Sequence, residues 1–194
     1  MPVDPGTPLE LPPWRPLLRG ARQREGRAPG AGWLQLASVA ADGTPRVRTL
    51  VFRCWSGSDQ LDLFSDQRSS KIDELRHQAW TELCWMLPQA RQQFRLRGPI
   101  TLFTPQDAPE PCQRSWDALR PSSRAVWGWP TPGSPYQPEA HWPEALDDGT
   151  ALPAHFVVLR LQVLRVEQLD LRPHPHERRV WCAEQNWKEE RLNP

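Results

Sequence analysis

The sequence predicts a mainly β protein with short α-helical additions, folded as an antiparallel barrel. Six or so strand-like runs are separated by turns and short helices, and strands and helices do not alternate regularly along the chain. Neither G-x-G-x-x-G nor G-x-x-x-x-G-K-[ST] occurs, so the phosphate-binding loops typical of doubly wound sheets are missing from the sequence. These observations favour antiparallel strands that close into a barrel.

The length of 194 residues fits one domain. Residues 1–12 are predicted to form a Pro-rich flexible lead, and residues 13–194 a single domain. Ten of the 23 prolines lie between Pro105 and Pro153 and interrupt regular structure there. The same segment contains Trp116, Trp127, Trp129 and Trp142. Such large apolar anchors predict an ordered loop region across about 105–153.

The first predicted elements are a helix and a hairpin. Apolar residues recur at helical spacing from Trp14 to Glu25, and Gly26 follows as a stop signal. Trp33–Val39 and Arg46–Phe52 are strand-like runs. The Asp42-Gly43 pair between them suits the positive dihedral angles of a tight turn, so we predict a β-hairpin.

A third strand and a short capped helix follow the hairpin. The strand is predicted over Leu61–Ser65, and Ser69 or Ser70 can then cap a helix whose free amides would point at an anion. The later strands are predicted at Thr81–Leu87, Gln93–Phe103, Phe156–Leu169 as one long strand, and Val180–Ala183, before a tail over Trp187–Leu192.

Charge and cysteine usage exclude several classes of function. Lysines and arginines number 24 against 23 acidic residues, so the net charge of +1 creates no overall field for a long polyanion, and we expect no nucleic-acid partner. The four cysteines form no C-x-x-C pair, which favours reduced thiols and no metal site. The first residues lack a basic start and an apolar run. We therefore expect a cytoplasmic protein with no membrane partner.

Groups that can bind a phosphate and a planar ring follow one another in the second quarter of the chain. These groups are Arg48, Ser65, Ser69, Ser70, Lys71 and Gln93. The two cations can neutralise a terminal phosphate, and the serine hydroxyls can donate to its oxygens. The glutamine amide can both donate to and accept from a heterocycle. No single residue is diagnostic, but the ordered set predicts a site for flavin mononucleotide (FMN).

These residues resemble those of the pyridoxamine 5'-phosphate oxidase-like flavoproteins, across about residues 33–194. The segments that carry the resemblance are Arg48–Arg53, Phe64–Lys71, Gln93–Gly98 and Trp187–Pro194. The Trp129–Gly133 run looks more like a subgroup of this family than like the biosynthetic oxidase. The resemblance implies a split β-barrel that binds FMN at the interface of a homodimer.

The resemblance also implies contacts on the cofactor side. Arg48 and Lys71 would meet the phosphate, with the serines nearby. The backbone along the flavin ring would come from Thr49, Leu50 and Val51. Gln93 would approach the pyrimidine edge, and Arg178 best matches a flavin-contacting arginine after a one-residue gap. The flavin-stacking tryptophan of the family is missing here.

The substrate side departs further from the family. The implied substrate contacts are Arg53, Arg120, Arg124, His174 and His176. Arg53 stands at a phosphate-binding lysine position and Arg124 at a serine position, so only Arg120 keeps the expected residue. His174 stands where a substrate-contacting arginine is expected, and imidazole lacks the permanent charge and five donors of guanidinium. Oxidation of vitamin B6 phosphates therefore loses support.

The function predicted from this comparison is an FMN-binding oxidoreductase that acts on a small substrate. A flavin reductase is one alternative, with Arg53, Arg120 and Arg124 binding the phosphates of a nicotinamide donor. A second alternative is a module that binds FMN or pyridoxal phosphate without turnover. The third is an interaction scaffold rich in tryptophan and proline, which would carry no chromophore.

Overall fold

A computed structural model describes residues 10–194 of the chain. Residues 1–9 of the predicted flexible lead lie outside the described residues, so the prediction for that segment stays a prediction. The remaining residues form one nine-stranded sheet with four short α-helices.

Six antiparallel strands close the barrel, and three more extend it on one side. The strands are β1 Trp33–Val39, β2 Pro45–Trp55, β3 Gln60–Asp66, β4 Trp80–Leu87, β5 Gln92–Phe103, β6 Phe156–Gln162, β7 Arg165–Asp170, β8 Glu177–Cys182 and β9 Glu190–Leu192. Their order is β4-β1-β2-β3-β6-β5, and β5 pairs back with β4 to complete the ring. The strands β7, β8 and β9 continue the sheet from β5. The predicted mainly β class and antiparallel barrel are confirmed.

The helices are short, and the first precedes β1 while the other three lie between strands. They are α1 Trp14–Glu25, α2 Ser70–His77, α3 Pro109–Asp117 and α4 Pro121–Arg124. The predicted bounds of α1 are confirmed, and the helix ends where Gly26 takes a positive φ of 62°. The start of α2 after Ser69 is confirmed as well.

The predicted hairpin of β1 and β2 is confirmed. Its register pairs Trp33 with Val51 and Val39 with Pro45. In the turn, Gly43 has a φ of 80° and its amide donates to the Ala40 carbonyl at 2.8 Å. This backbone region suits glycine, which explains the glycine in the turn.

The prediction of one long strand over Phe156–Leu169 is wrong. The run divides into β6 and β7, which pair with different parts of β5: Ile100–Phe103 pairs with β6, and residues 92–97 pair with β7. The strand β5 changes its partner from β7 to β6 at Gly98. A Cβ on this glycine would collide with the Gln162 carbonyl oxygen. The run from Phe156 to Leu169 contains no glycine or proline, so no turn residue in the sequence reveals the break.

Two apolar clusters hold the fold together. The larger fills the barrel with alternate strand residues such as Leu36, Leu83 and Leu96, and α1 closes one end with Trp14. The Trp14 ring lies 5.8 Å from the ring of Trp55, centroid to centroid, in a tilted pair.

The second cluster attaches the Pro-rich segment to β6. Trp116 is fully buried and meets Trp127 at 5.7 Å and Phe156 at 5.6 Å between ring centroids. Arg124 is only 2% exposed and stacks 5.3 Å from the Trp116 ring. Its guanidinium donates to the carbonyls of Trp116, Asp117 and Asp147. The segment is thus packed against the barrel by aromatic rings around a hydrogen-bonded arginine.

The outer face of β2, β1 and β4 carries exposed apolar side chains, and we call it the open sheet face. These side chains are Val47, Val51, Trp33, Trp80 and Met86. Val47 is 70% exposed and Trp33 is 51% exposed. Contiguous apolar surface of this kind is uncommon on monomeric proteins and marks contact sites.

Helices that could span a membrane and clusters that could hold a metal were not found in the described part of the chain. Within residues 10–194, no helix combines the length and the apolar composition that crossing a bilayer requires. No group of three or more His, Cys, Asp or Glu side chains among these residues is placed to bind a metal ion. The four cysteines are free thiols.

Gly98→Ala tests whether the change of partner along β5 requires a glycine at this position. We expect the free energy of unfolding to fall by about 2–4 kcal/mol, because the added methyl group would displace backbone. Gly149→Ala is the control, since its Cβ would meet nothing within 4 Å. Urea denaturation of both variants measures the difference. Equal stability of the two variants would contradict this account of the change of partner.

The hydrogen bonds of Asp170 predict that the free energy of unfolding depends on pH in the acid range. Burial alone would raise its pKa, but Arg172 at 2.5 Å and Gln92 at 2.7 Å donate to the carboxylate, and the net effect lowers the pKa to about 2. A lowered pKa stabilises the fold above the unfolded value near 3.8. This stabilisation is lost as the pH falls towards 2. The shift corresponds to about 2 kcal/mol.

The measurement compares urea unfolding of the wild type with that of Asp170→Asn. The stability advantage of the wild type should decline progressively between about pH 4 and pH 2, because only the wild type binds a proton at this position. An advantage that stays constant across this range would contradict the assignment.

Candidate functional site

A lysine and two serines meet where β3 leads into α2. Lys71 Nζ donates to Ser65 Oγ at 3.1 Å and to Ser69 Oγ at 2.7 Å. Ser65 lies on β3, and Ser69 is the residue before the first turn of α2. Because the residues between them form a tight turn, one ammonium group and two hydroxyl groups converge over a short distance. Such a group can bind an anion.

Arg48 adds a second cation to this group. Burial lowers the pKa of Lys71, and the positive charge of Arg48 nearby lowers it further. Arg48 Nη2 lies 2.6 Å from Glu74 Oε2, and its other nitrogen donates to Ser38 Oγ. Lys71 has no carboxylate within ion-pair distance among residues 10–194. The charge that the group can still neutralise is therefore that of an anion from outside the described chain.

The first turn of α2 lies beside the same group. Ser70 begins the helix, and its side chain is exposed. The Ser69 hydroxyl does not cap the helix but donates to the Asp66 carbonyl at 2.6 Å. The N-terminal amides of a helix favour a negative group. The predicted phosphate residues on β3 and α2 are thus brought together.

A cavity of about 420 Å³ extends from Lys71 along β2. On the barrel side it is lined by Thr49, Leu50, Val51, Arg53, Phe64 and Ser65. The opposite wall comes from residues 126–142, which we call the tryptophan loop. The predicted ring-binding residues of β2 and the predicted phosphate-binding Lys71 therefore share one cavity.

Hydrogen bonds attach the tryptophan loop to the turn between β3 and α2. Trp127 Nε1 donates to the Ser65 carbonyl at 3.0 Å, and Arg68 Nη2 donates to the Trp129 carbonyl at 3.2 Å. Arg68 also forms an ion pair of 2.6 Å with Asp66. The loop is thereby held against the segment that carries Ser65 and Lys71.

Aromatic rings stiffen the far part of the loop. The rings of Trp129 and Trp142 lie 5.7 Å apart, and those of Tyr136 and Trp142 lie 5.9 Å apart. Trp129 Nε1 donates to the Pro143 carbonyl at 2.9 Å. The sequence predicts these tryptophans to be anchors of an ordered loop but does not reveal that they line the cavity. Their number in a Pro-rich segment was the available signal.

Gln93 and Arg178 line a different cavity. It measures about 140 Å³ and also includes Arg95, Glu167 and Pro194. Arg178 Nη2 lies 2.7 Å from Glu167 Oε2. Burial alone would raise the pKa of Glu167, but hydrogen bonds from Arg178 and Arg165 and the charge of Arg95 lower it. Within one chain, Gln93 and Arg178 therefore lie in a different cavity from Lys71.

Both cavities nevertheless open on one side of the sheet. Thr49 pairs with Gln35, Gln35 with Cys84, and Cys84 with Arg95. Directly opposed residues point to the same face, and so do residues two apart on one strand, which adds Gln93 to this row. Three strand spacings, about 14 Å, separate β2 from β5. The open sheet face lies between the two cavities.

The predicted substrate residues are dispersed. Arg53 lines the larger cavity. Arg120 is exposed before α4 and lies outside the residues that line this cavity. Arg124 is buried in the second apolar cluster with its donors used by backbone carbonyls, which gives the predicted substrate role no support. His174 and His176 are exposed between β7 and β8, away from the larger cavity.

Comparisons with known proteins agree with this geometry. The family profile described as "Pyridoxamine 5'-phosphate oxidase, FMN-binding domain" matches residues 11–104. The protein named pyridoxine/pyridoxamine 5'-phosphate oxidase 2 from Arabidopsis thaliana is 31% identical, across 94% of this chain and 97% of its own.

Solved structures show the same fold. A pyridoxamine 5'-phosphate oxidase-related, FMN binding protein from Nostoc punctiforme has 35% identity and a TM-score of 0.87, covering 95% of this chain and 100% of that one. PhzG from Burkholderia lata, solved in complex with tetrahydrophenazine-1-carboxylic acid, has 22% identity and a TM-score of 0.79, covering 99% and 98%.

The residues present suit FMN. Lys71 with Arg48 nearby, the hydroxyl groups of Ser65 and Ser69, and a helix N-terminus match the needs of a phosphate, and the cavity beside β2 offers a wall for a ring. Together with the family profile, the Arabidopsis relative and the Nostoc structure, this shows that the chain belongs to the FMN-binding, pyridoxamine 5'-phosphate oxidase-like family of split β-barrels.

Proposed function

We propose that the protein is an FMN-dependent oxidoreductase acting on a small substrate, and that two copies of the chain form each active site. One observation carries the proposal. Those predicted cofactor residues that line a cavity divide between two cavities of one chain, with Lys71 in one and Gln93 and Arg178 in the other. A homodimer that joins the two kinds of cavity would complete the site twice.

The open sheet face supports this arrangement. Its exposed apolar side chains lie on β2, β1 and β4, between the two cavities. A two-fold axis across this face would bury Trp33 and Val51 and place β2 of one copy near β5 of the other. The same contact would supply the apolar area that a stable dimer needs.

Each half of the site has its own task. Lys71, Arg48, Ser65, Ser69 and the start of α2 would hold the FMN phosphate. The β2 backbone at Thr49–Val51 would lie along the ring. Gln93 and Arg178 of the second copy would contact the ring through an amide and a guanidinium. The chain's residues thus bind and orient the reacting groups and exclude water from them.

When bound, FMN supplies the redox chemistry, because it can accept a hydride from a substrate carbon next to an amine or alcohol and pass electrons to oxygen. The relatives named pyridoxine/pyridoxamine 5'-phosphate oxidase suggest this type of reaction. A nicotinamide donor would define a reductase instead. The four free cysteines suit a cytoplasmic location.

Lys71→Ala tests the phosphate half. We expect FMN to bind about 10 to 100 times more weakly, since a charge-assisted hydrogen bond contributes roughly 1.5–3 kcal/mol. Arg76→Ala is the matched control, because Arg76 is an exposed cation on the same helix, 3.2 Å from Asp73. Fluorescence titration with FMN measures both affinities, and a thermal melt checks the fold. Unchanged affinity in Lys71→Ala would remove the phosphate assignment.

Mixing two variants tests whether the site is shared. Lys71→Ala and Gln93→Ala chains are unfolded together and refolded, so that mixed dimers form. If each site takes Lys71 from one copy and Gln93 from the other, about a quarter of all sites in a statistical mixture become fully wild type. FMN titration should then show this fraction with native affinity. No tight fraction would mean that both residues serve the same chain's site.

A spectrum of the purified protein comes before both experiments. A yellow protein that releases FMN on denaturation fits the proposal. Anaerobic addition of candidate amines, alcohols or reduced nicotinamide then separates an oxidase from a reductase by which compound bleaches the flavin. A protein that neither contains nor takes up FMN would overturn the proposed function.

A further inference from the structure

We propose that Glu74 is a positioning residue for the cofactor. Its carboxylate, together with the Ser38 hydroxyl, holds the Arg48 guanidinium in place to receive the FMN phosphate. The inference rests on the proposed function, because Arg48 is taken to be one of the phosphate contacts. It goes beyond that function by giving a role to a buried acidic residue beside an anion site.

Glu74, Ser38 and Arg48 form a closed triangle of hydrogen bonds that connects α2, β1 and β2. Arg48 Nη2 lies 2.6 Å from Glu74 Oε2, and Arg48 Nη1 donates to Ser38 Oγ. The Ser38 hydroxyl in turn donates to the same Glu74 oxygen at 2.5 Å. Glu74 is 8% exposed and Ser38 is 3% exposed, so water hardly competes for these bonds. The two buried partners therefore restrict the conformations of the Arg48 side chain.

The triangle leaves donors of Arg48 for a ligand. A guanidinium has five N–H donors. The hydrogen bonds to Glu74 and Ser38 use two of them, and the Arg48 side chain is still 21% exposed. A mobile arginine loses side-chain entropy when it binds a phosphate, whereas an arginine that is already held loses less. Glu74 and Ser38 therefore raise the affinity of Arg48 for a phosphate without touching the phosphate themselves.

A carboxylate at this position also has a cost, because it repels an anion. Glu74 follows Lys71 by three residues on α2, which places both side chains on one face of the helix. The charges of Arg48 and Glu74 reach Lys71 and shift its pKa in opposite directions. A phosphate beside Lys71 is therefore repelled by Glu74 unless the ion pair with Arg48 offsets that charge.

Positioning and repulsion predict effects of opposite sign on FMN affinity. With Arg48 present, Glu74→Ala removes the positioning contact, and we expect FMN to bind about five to twenty times more weakly. In chains that carry Arg48→Met, no guanidinium remains to be positioned, and only the repulsion is left. There Glu74→Ala should strengthen FMN binding about two to five times. Fluorescence titration of the wild type, the two single variants and the double variant measures the four affinities.

Three controls separate positioning from a loss of folded structure. Both hydrogen bonds go to one oxygen of Glu74, and Glu74→Gln keeps one such oxygen, so its FMN affinity should stay within about threefold of the wild type. Asp73→Ala removes a carboxylate of the same helix, 3.2 Å from Arg76, and should change FMN affinity less than about twofold. Riboflavin, which lacks the phosphate, should bind Glu74→Ala and the wild type equally. Thermal melts check the fold.

Several outcomes would overturn the proposal. Tighter FMN binding by Glu74→Ala in chains that keep Arg48 would leave repulsion as its only effect. An equal loss of FMN affinity in the Arg48→Met background, or an equal loss of riboflavin affinity, would assign Glu74 to the fold alone. If the protein takes up no FMN, the proposed function fails separately, and inorganic phosphate replaces FMN as the probe. Phosphate should then raise the melting temperature of Glu74→Ala less than that of Asp73→Ala, and an equal rise would overturn the positioning role.

Discussion

The strand β5 is the constraint on which the rest of this structure depends. Its first half pairs with β4 and β7, and its second half pairs with β6. One strand therefore closes the barrel and also carries the added strands β7, β8 and β9. The two pairings require close approach of the backbone at Gly98. Because Gln93 lies on the first half, the same strand sets the position of the second cavity relative to the open sheet face.

The larger cavity depends on a second constraint, the attachment of the tryptophan loop. A loop without regular hydrogen bonding needs other contacts to keep one conformation. Here those contacts are buried indoles and a buried arginine whose donors satisfy loop carbonyls. The indole of Trp127 then connects the loop to the carbonyl of Ser65. The apolar core of the loop and the turn that carries Ser65 are thus held together.

The cations of this chain fall into two groups, those paired with a carboxylate and those without such a partner among residues 10–194. Many arginines on this sheet pair with carboxylates, as Arg160 does with Asp62 at 2.8 Å and Arg178 with Glu167 at 2.7 Å. Lys71 and Arg53 lack such a partner in the described residues, and burial lowers the pKa of each. Both line the same cavity. Perturbed, unpaired groups in a cavity are a physical mark of a ligand site.

The sequence by itself determined the fold class, the first hairpin, the starts of α1 and α2, and the grouping of Ser65 and Ser69 with Lys71, because these depend on local patterns and short turns. Only the tertiary structure decided the break between β6 and β7, since no glycine or proline marks a turn there. It also decided that Arg124 is a structural residue while Arg53 lines a cavity, and that Gln93 lies apart from Lys71. These outcomes depend on contacts between segments distant along the chain, and a local pattern carries no information about which distant segment a side chain meets.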